Sequence, residues 1–276
     1  MNKYYKGRTN LAATIFVPVV CGNNCPFCNT NIIYDGFVFN EKYLNTIIDI
    51  IKICNNNDAI HEFVITGGEP LIDLSILKQI IDATEKPVFI NTSLPLVDNI
   101  NECIDYINNE DKIKGINISR HINTVHNVKT AGIDLINKIE KYVRINCIVK
   151  ENMLGDNLLD YIQYYSTPYR MINLRADYRT VTLDTLKNRD NISQWLLDNF
   201  KYEYSNNCLV CNSEFYSDEV STVVCYHRGL EQSCVITNNR IYVNDVIIDI
   251  YGNIYKDWTM IDDNEFIYAL TNNLIK

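Results

Sequence analysis

The sequence predicts an α/β fold with a smaller C-terminal extension. Strand-like and helix-like segments alternate six times between residue 11 and about residue 200. The connections between them are short, and the texture changes near Ser205, where a cysteine-containing tail begins. Alternation with short connections implies parallel strands joined by right-handed crossovers. The division this suggests is 1–200 for the repeating part and 201–276 for the extension.

The elements follow in order. Residues 11–20 (LAATIFVPVV) form an apolar strand rich in β-branched side chains. Residues 41–54 have helical spacing, with Leu44, Ile47, Ile48 and Ile51 on one face. The strand at 61–66 (HEFVIT) runs into Gly67-Gly68-Glu69-Pro70, and Asp73 then caps a helix carrying Leu77, Ile80 and Ile81. Further strands are predicted at 87–91, 113–119, 142–149 and 170–175, with helices at 97–107, 123–139, 156–165 and 192–200. In the tail, 240–250 alternates like a hairpin, and 243–258 has a turn at Gly252-Asn253.

Of the 276 residues, 47% are apolar and 21% charged, which supports a real core. The net charge of −9 argues against a broad nucleic-acid surface, because such surfaces rest on clustered Lys and Arg. The N-terminal MNKYYKGR lacks the apolar stretch of a signal peptide, and the longest apolar runs are too short to span a bilayer. A cytoplasmic protein is expected. In that compartment clustered cysteines bind metals or catalyse more often than they form disulfides. Cys54, Cys103 and Cys147 stand alone and are expected to be small buried hydrophobes.

The stretch CGNNCPFC at 21–28 holds three of the ten cysteines. Structural zinc wants four ligands, and no His or further Cys follows Cys28 for twenty-five residues. A redox pair would use Cys25 and Cys28 and leave Cys21 unexplained. A cubane cluster held by three thiolates keeps one iron open, so three ligands suffice. On the next strand, Thr66-Gly67-Gly68-Glu69-Pro70 pairs two glycines, which let a backbone approach a ligand closely, with a carboxylate that can accept from an ammonium group.

The cysteine spacing, with an aromatic before the last thiol, and the Gly-Gly-Glu-Pro run on the following strand together resemble the radical S-adenosylmethionine (radical SAM) superfamily. The resemblance covers the first 200 residues as architecture. It implies a partial (β/α)6 TIM-like barrel with the cofactor across the C-terminal strand ends. It further implies a 4Fe-4S cluster on Cys21, Cys25 and Cys28, whose open iron is chelated by S-adenosylmethionine (SAM). Reductive cleavage of SAM would then give a 5′-deoxyadenosyl radical that takes a hydrogen atom from a small-molecule, nucleotide or peptide substrate. A reducing partner such as flavodoxin or ferredoxin is implied. Phe27 would lie near the adenine, Thr66 to Pro70 and Asn91 near the methionyl end, Ser119 near the ribose or the carboxylate, and Asn146 near the ribose. Arg120 and His121 could bind SAM or substrate. Arg175 and Asp177, on one face of the sixth strand, could hold a substrate carboxylate or amine.

In the tail, Cys208-Leu-Val-Cys211 and Cys225 are faintly similar to the auxiliary-cluster motif of the molybdenum-cofactor cyclase branch, though the arginines and glycine turn of that motif are missing. A second iron–sulfur cluster, a zinc site that includes His227 or Cys234, and buried unligated thiols all stay open. Trp258 stands where related tails often carry another cysteine, in a hairpin expected to close the open side of the barrel. Two other function classes remain: an activase that installs a glycyl radical on a partner enzyme, and a non-catalytic iron–sulfur protein. The latter has no use for Gly-Gly-Glu-Pro.

Overall fold

β1 (Tyr4–Lys6) and β2 (Leu11–Val17) open the chain in the computed structural model, which describes residues 3–7, 11–23, 25, 28, 31–122, 129–167, 170–176, 183–206, 212–218, 223–227 and 234–276. Every residue of β2 is buried, as expected for a strand covered on both faces. The strand stops three residues short of its predicted end, because Pro18 cannot donate to the ladder. α1 (Asn31–Tyr34) and α2 (Glu41–Asn55) follow, then β3 (Ile60–Gly67), α3 (Leu74–Ala83), β4 (Val88–Thr92) and α4 (Ile100–Asn109). Asp73 caps α3 as predicted, its carboxylate accepting from the Ile76 N–H. β5 (Ile113–Ser119), α5 (Ile133–Ile136), β6 (Tyr142–Val149), α6 (Asp156–Tyr165), β7 (Arg170–Ala176) and α7 (Leu183–Asn199) complete the repeats.

The helix predicted over 123–139 is a correction. Only Ile133–Ile136 is helical, and 123–128 lies outside the described residues. Residues 129–131 instead run extended beside 94–96: the Leu96 N–H bonds the Lys129 carbonyl (2.7 Å) and the Ala131 N–H bonds that of Leu94 (2.8 Å). Backbone pairing with the β4 exit overrode helical spacing.

The tail supplies β8 (Lys201–Ser205), β9 (Ser213–Ser217), β10 (Val223–His227), β11 (Cys234–Thr237), β12 (Arg240–Val243), β13 (Asp245–Ile248), β14 (Ile254–Tyr255) and α8 (Asn264–Thr271). The hairpin read at 240–250 is also corrected. Asn238 and Asn239, both at positive φ (49° and 58°), turn β11 into β12, and that pair joins β1 in a small sheet. β13 leaves it to pair in parallel with β2, and β14 folds back antiparallel on β13.

The main sheet runs β14-β13-β2-β3-β4-β5-β6-β7-β10-β9-β8, parallel from β13 to β10. The β13–β14 hairpin thus extends the β2 edge, while β14 and β8 end the sheet without meeting, so the barrel is partial. β6 shows how the strands divide their faces. Val143, Ile145, Cys147 and Val149 are buried, while Arg144, Asn146 and Ile148 are half-buried. The apolar side joins the main core, in which Cys54, Cys103 and Cys147 are the small hydrophobes predicted.

Candidate functional site

The cysteine loop leaves β2 and folds against the Gly-Gly turn that leaves β3. Gly67 has φ +88°, a left-handed conformation that side chains resist. A β-carbon there would stand 2.8 Å from the Phe16 Cα. One on Gly68 would overlap the Val19 carbonyl oxygen and lie 3.2 Å from the Cys21 nitrogen. The two glycines therefore let the turn press on the cysteine loop itself. Tyr34 fastens the contact, donating its hydroxyl hydrogen to the Val17 carbonyl (2.8 Å) and accepting from the Gly68 N–H. Both motifs are parts of one packed unit.

Cys21, Cys25 and Cys28 are half-buried thiols. The Asn23 N–H donates to Cys21 Sγ (3.4 Å), and the Cys28 N–H to the Cys25 carbonyl (3.0 Å). Burial raises the pKa of Cys21, and burial with the neighbouring thiols pushes Cys25 up to about 11. Such thiols keep their protons at neutral pH unless a metal replaces them. Among the described residues no three Cys, His, Asp or Glu side chains converge on a single ion. A polynuclear cluster holds its ligands apart by its own width, and thiolates are its usual ligands. The donor set fits a 4Fe-4S cluster better than one zinc ion.

Glu69 is 2% exposed and its four hydrogen-bond donors come from the chain. Oε1 accepts from the Leu71 N–H (3.2 Å) and the Thr92 hydroxyl, and Oε2 from the Ser93 N–H (2.7 Å) and hydroxyl (2.6 Å). Burial raises its pKa, and these bonds oppose the rise. The carboxylate thus fixes the β4 exit, where Leu94 is held at φ +49° with its N–H on Thr92 Oγ1 (2.8 Å). From the other side Arg120, 5% exposed, donates to the carbonyls of Ser93, Ser119 (2.9 Å) and Ala131 (2.8 Å). Ser93 links a buried anion to a buried cation. Where the sequence reading has Arg120 able to bind SAM or substrate, its guanidinium donates to these backbone carbonyls.

The remaining predicted residues fall on the same ends of neighbouring strands. Thr66 and Gly67 close β3, with Gly68, Glu69 and Pro70 just beyond. Asn91 lies in β4 and accepts from Asn117 Nδ2 (2.6 Å). Ser119 ends β5 in register with Asn146 of β6, whose Oδ1 accepts from Asn173 Nδ2 (2.6 Å). His121 Nδ1 accepts from the Ile148 N–H (3.1 Å), which leaves the proton of the neutral ring on Nε2. Arg175, next to last in β7, is in register with His227 of β10. Phe27, Asp177, Cys208 and Cys211 lie outside the described residues. Cys225, 3% exposed, is in register with Asn173, so its thiol faces the polar side of the sheet. His227 Nε2 is 3.7 Å from Cys225 Sγ, and Nδ1 is 2.6 Å from Ser213 Oγ. Asn117, Asn173 and Arg144 were missed, although the polar alternation N-x-S in β5, R-x-N in β6 and N-x-R in β7 announces a polar face.

Residues 15–139 match the family model described as the radical SAM superfamily. The match spans β2 to the stretch after α5, so both motifs lie inside it. No curated protein matches the chain. Among solved structures, SuiB from Streptococcus suis bound to S-adenosylmethionine superposes with TM-score 0.59 at 14% identity, over 92% of this chain and 62% of that one. A second SuiB structure gives TM-score 0.58 at 14% identity, over 97% and 66%. The structure of anSMEcpe with bound AdoMet gives 0.51 at 15% identity, over 68% and 58%. At these identities the likeness is one of fold. The chain spans roughly three-fifths of the length of these proteins.

Proposed function

We propose that the chain is a radical SAM enzyme in which Cys21, Cys25 and Cys28 hold a 4Fe-4S cluster beside SAM. The observation that carries this reading is the packing of Gly68 on the backbone of 19–21, which joins the thiols and the Gly-Gly turn into one unit inside the matched region. When bound, the cluster and SAM supply reductive cleavage to a 5′-deoxyadenosyl radical, which takes a hydrogen atom from a small-molecule, nucleotide or peptide substrate. The chain's own part is placement. Backbone carbonyls of the Gly67-Gly68 turn accept from the SAM ammonium, while Glu69 holds the β4 exit in position. Thr66, Pro70 and Asn91 flank the methionyl end, Ser119 and Asn146 the ribose, and Phe27 the adenine. Arg175, Asp177 and His121 face the substrate. A second cluster or zinc on Cys208, Cys211 and Cys225 is part of the proposal, as are a flavodoxin- or ferredoxin-like reductant and a cytoplasmic location. Among the described residues no helix is long and apolar enough to cross a membrane.

The test is to reconstitute the full chain with iron and sulfide, and to compare it with the Cys21→Ala/Cys25→Ala/Cys28→Ala variant and with Cys208→Ala/Cys211→Ala. The triple variant is expected to lose about four irons and all 5′-deoxyadenosine formation from SAM and a strong reductant, and the double variant whatever the tail binds. Full iron, sulfide and activity in the triple variant would overturn the assignment.

A further inference from the structure

The cysteine loop is tied to the barrel at a point that neither motif announces. Gly22 is exposed, yet Asn23 beside it is only 8% exposed. A loop asparagine ordinarily faces water, and a buried carboxamide is costly unless it is hydrogen-bonded. Asn23 Nδ2 donates to Ser93 Oγ at 3.4 Å, seventy residues along the chain at the β4 exit, where Ser93 is itself 9% exposed. The backbone N–H of the same Asn23 reaches Cys21 Sγ, also at 3.4 Å.

Ser93 is a well-held anchor. Its hydroxyl donates to Glu69 Oε2 (2.6 Å) while accepting from Asn23, its N–H goes to the same carboxylate oxygen (2.7 Å), and its carbonyl accepts from Arg120. Asn23 therefore fastens the cysteine loop to the link between Glu69 and Arg120. Two earlier contacts pin the start of that loop: Tyr34 on the Val17 carbonyl (2.8 Å), and the Gly68 turn on the backbone of 19–21. Cys21 sits between the Gly68 contact and the Asn23 tether. Because the peptide group is planar, anchoring the Asn23 side chain also constrains where its backbone N–H can point.

We propose that Asn23 is a positioning residue for the cysteine site: its carboxamide, anchored on Ser93, holds its backbone N–H on Cys21 Sγ, so that the network at the β4 exit tunes the reduction potential of a cluster on that thiolate. An N–H aimed at a cluster sulfur favours the reduced, more negative form, and hydrogen bonds to the sulfurs are among the features that set cluster potentials. The inference deepens the function proposed above and rests on its reading of Cys21 as a cluster ligand.

The test has two arms, both on the full chain. Without cluster, amide hydrogen exchange at Asn23 is compared in wild type and in Ser93→Ala, which leaves the sequence of the cysteine loop intact. Exchange should quicken roughly two- to tenfold, the worth of one ordinary hydrogen bond. With cluster, midpoint potentials are read from the EPR signal of the reduced form in wild type, Asn23→Ala, Ser93→Ala and the double variant. At equal iron content both single variants should lie at more negative potential, by up to a tenfold shift in the reduction equilibrium, or about 59 mV for one electron. The double variant should lie no lower than Ser93→Ala, because the tether is already gone. Unchanged exchange, equal potentials in wild type and the single variants, or fully additive shifts would each overturn the proposal. A wild-type chain that assembled no cluster would sink the functional reading itself and this inference with it, whereas an assembled cluster with an unmoved potential sinks the inference alone.

Discussion

The two ends of the parallel strands use charge in opposite ways. At the N-terminal end three successive connections carry a lysine that reaches back to carbonyls at or just beyond the end of the preceding unit's helix. Lys86 bonds those of Cys54 (2.8 Å), Asn57 (2.7 Å) and Ile60 (2.7 Å). Lys112 takes Ile81 and Asp82 (both 3.1 Å), and Lys141 takes Glu110 (3.1 Å). A cation at a helix C-terminus satisfies orphan carbonyls and suits the helix dipole. At the C-terminal end the charges are buried, and Glu69 and Arg120 meet on the one residue Ser93. The lysines hold repeats together one at a time; the Glu69–Ser93–Arg120 link fixes the loops that leave β3, β4 and β5 relative to one another. In parallel barrels ligands lie at the C-terminal end, so the costlier device is placed where geometry matters for binding.

The comparison breaks most directly at Glu69. Glu69→Ala would leave the Leu71 and Ser93 N–H groups and two hydroxyls without their acceptor, and Arg120 without its buried counter-charge. Such a loss costs on the order of 3–5 kcal/mol. The expected outcome is a urea midpoint lowered to match and SAM binding lost even under conditions where the chain is folded. A stability change below about 1 kcal/mol would mean that the buried link does not hold the rim.

At the opposite end, Lys86→Met keeps the apolar stem and removes the ammonium. Three carbonyls lose a charged donor, but the site is half-buried and water can replace part of it. A loss of about 1–2 kcal/mol is expected. Iron content and SAM affinity of the folded variant should equal those of wild type. A variant that lost SAM affinity without losing stability would erase the division of labour between the two ends.

Much of this division was legible in the sequence. Ile113–Ser119, Tyr142–Val149 and Asp156–Tyr165 fall within their predicted bounds because each has a clean period and a clear stop. Gly67-Gly68 was legible as a place where backbone comes close, but not that the approaching backbone is that of Val19 to Cys21. Glu69 and Arg120 were read as ligand contacts, since a lone charged residue in a loop gives no hint that four donors or three carbonyls await it. Residues 129–131 were misread for a related reason: their pairing with 94–96 depends on a turn at Leu94 that Glu69 helps to set. What spacing encodes was visible, and what distant partners impose was not.

The comparison sharpens last at His227, which ends β10 on the polar face. Burial, then the charges of Arg175 and Arg144, pushes its pKa down from 6.5 to about 3. The folded chain therefore resists protonating a ring that the unfolded chain protonates below pH 6.5, so stability falls as pH drops from about 6.5 toward 3. Each pH unit in that window is worth at most about 1.4 kcal/mol, which puts the loss between pH 7 and pH 5 on the order of 1–2 kcal/mol. Urea midpoints of the metal-free chain at pH 7 and pH 5, measured alongside His227→Gln, isolate the effect, because carboxylate contributions are common to both proteins. The variant should show a shallower fall with pH by that amount. An equal fall in both would mean that the ring is solvated at this rim, and that the two arginines do not enclose it.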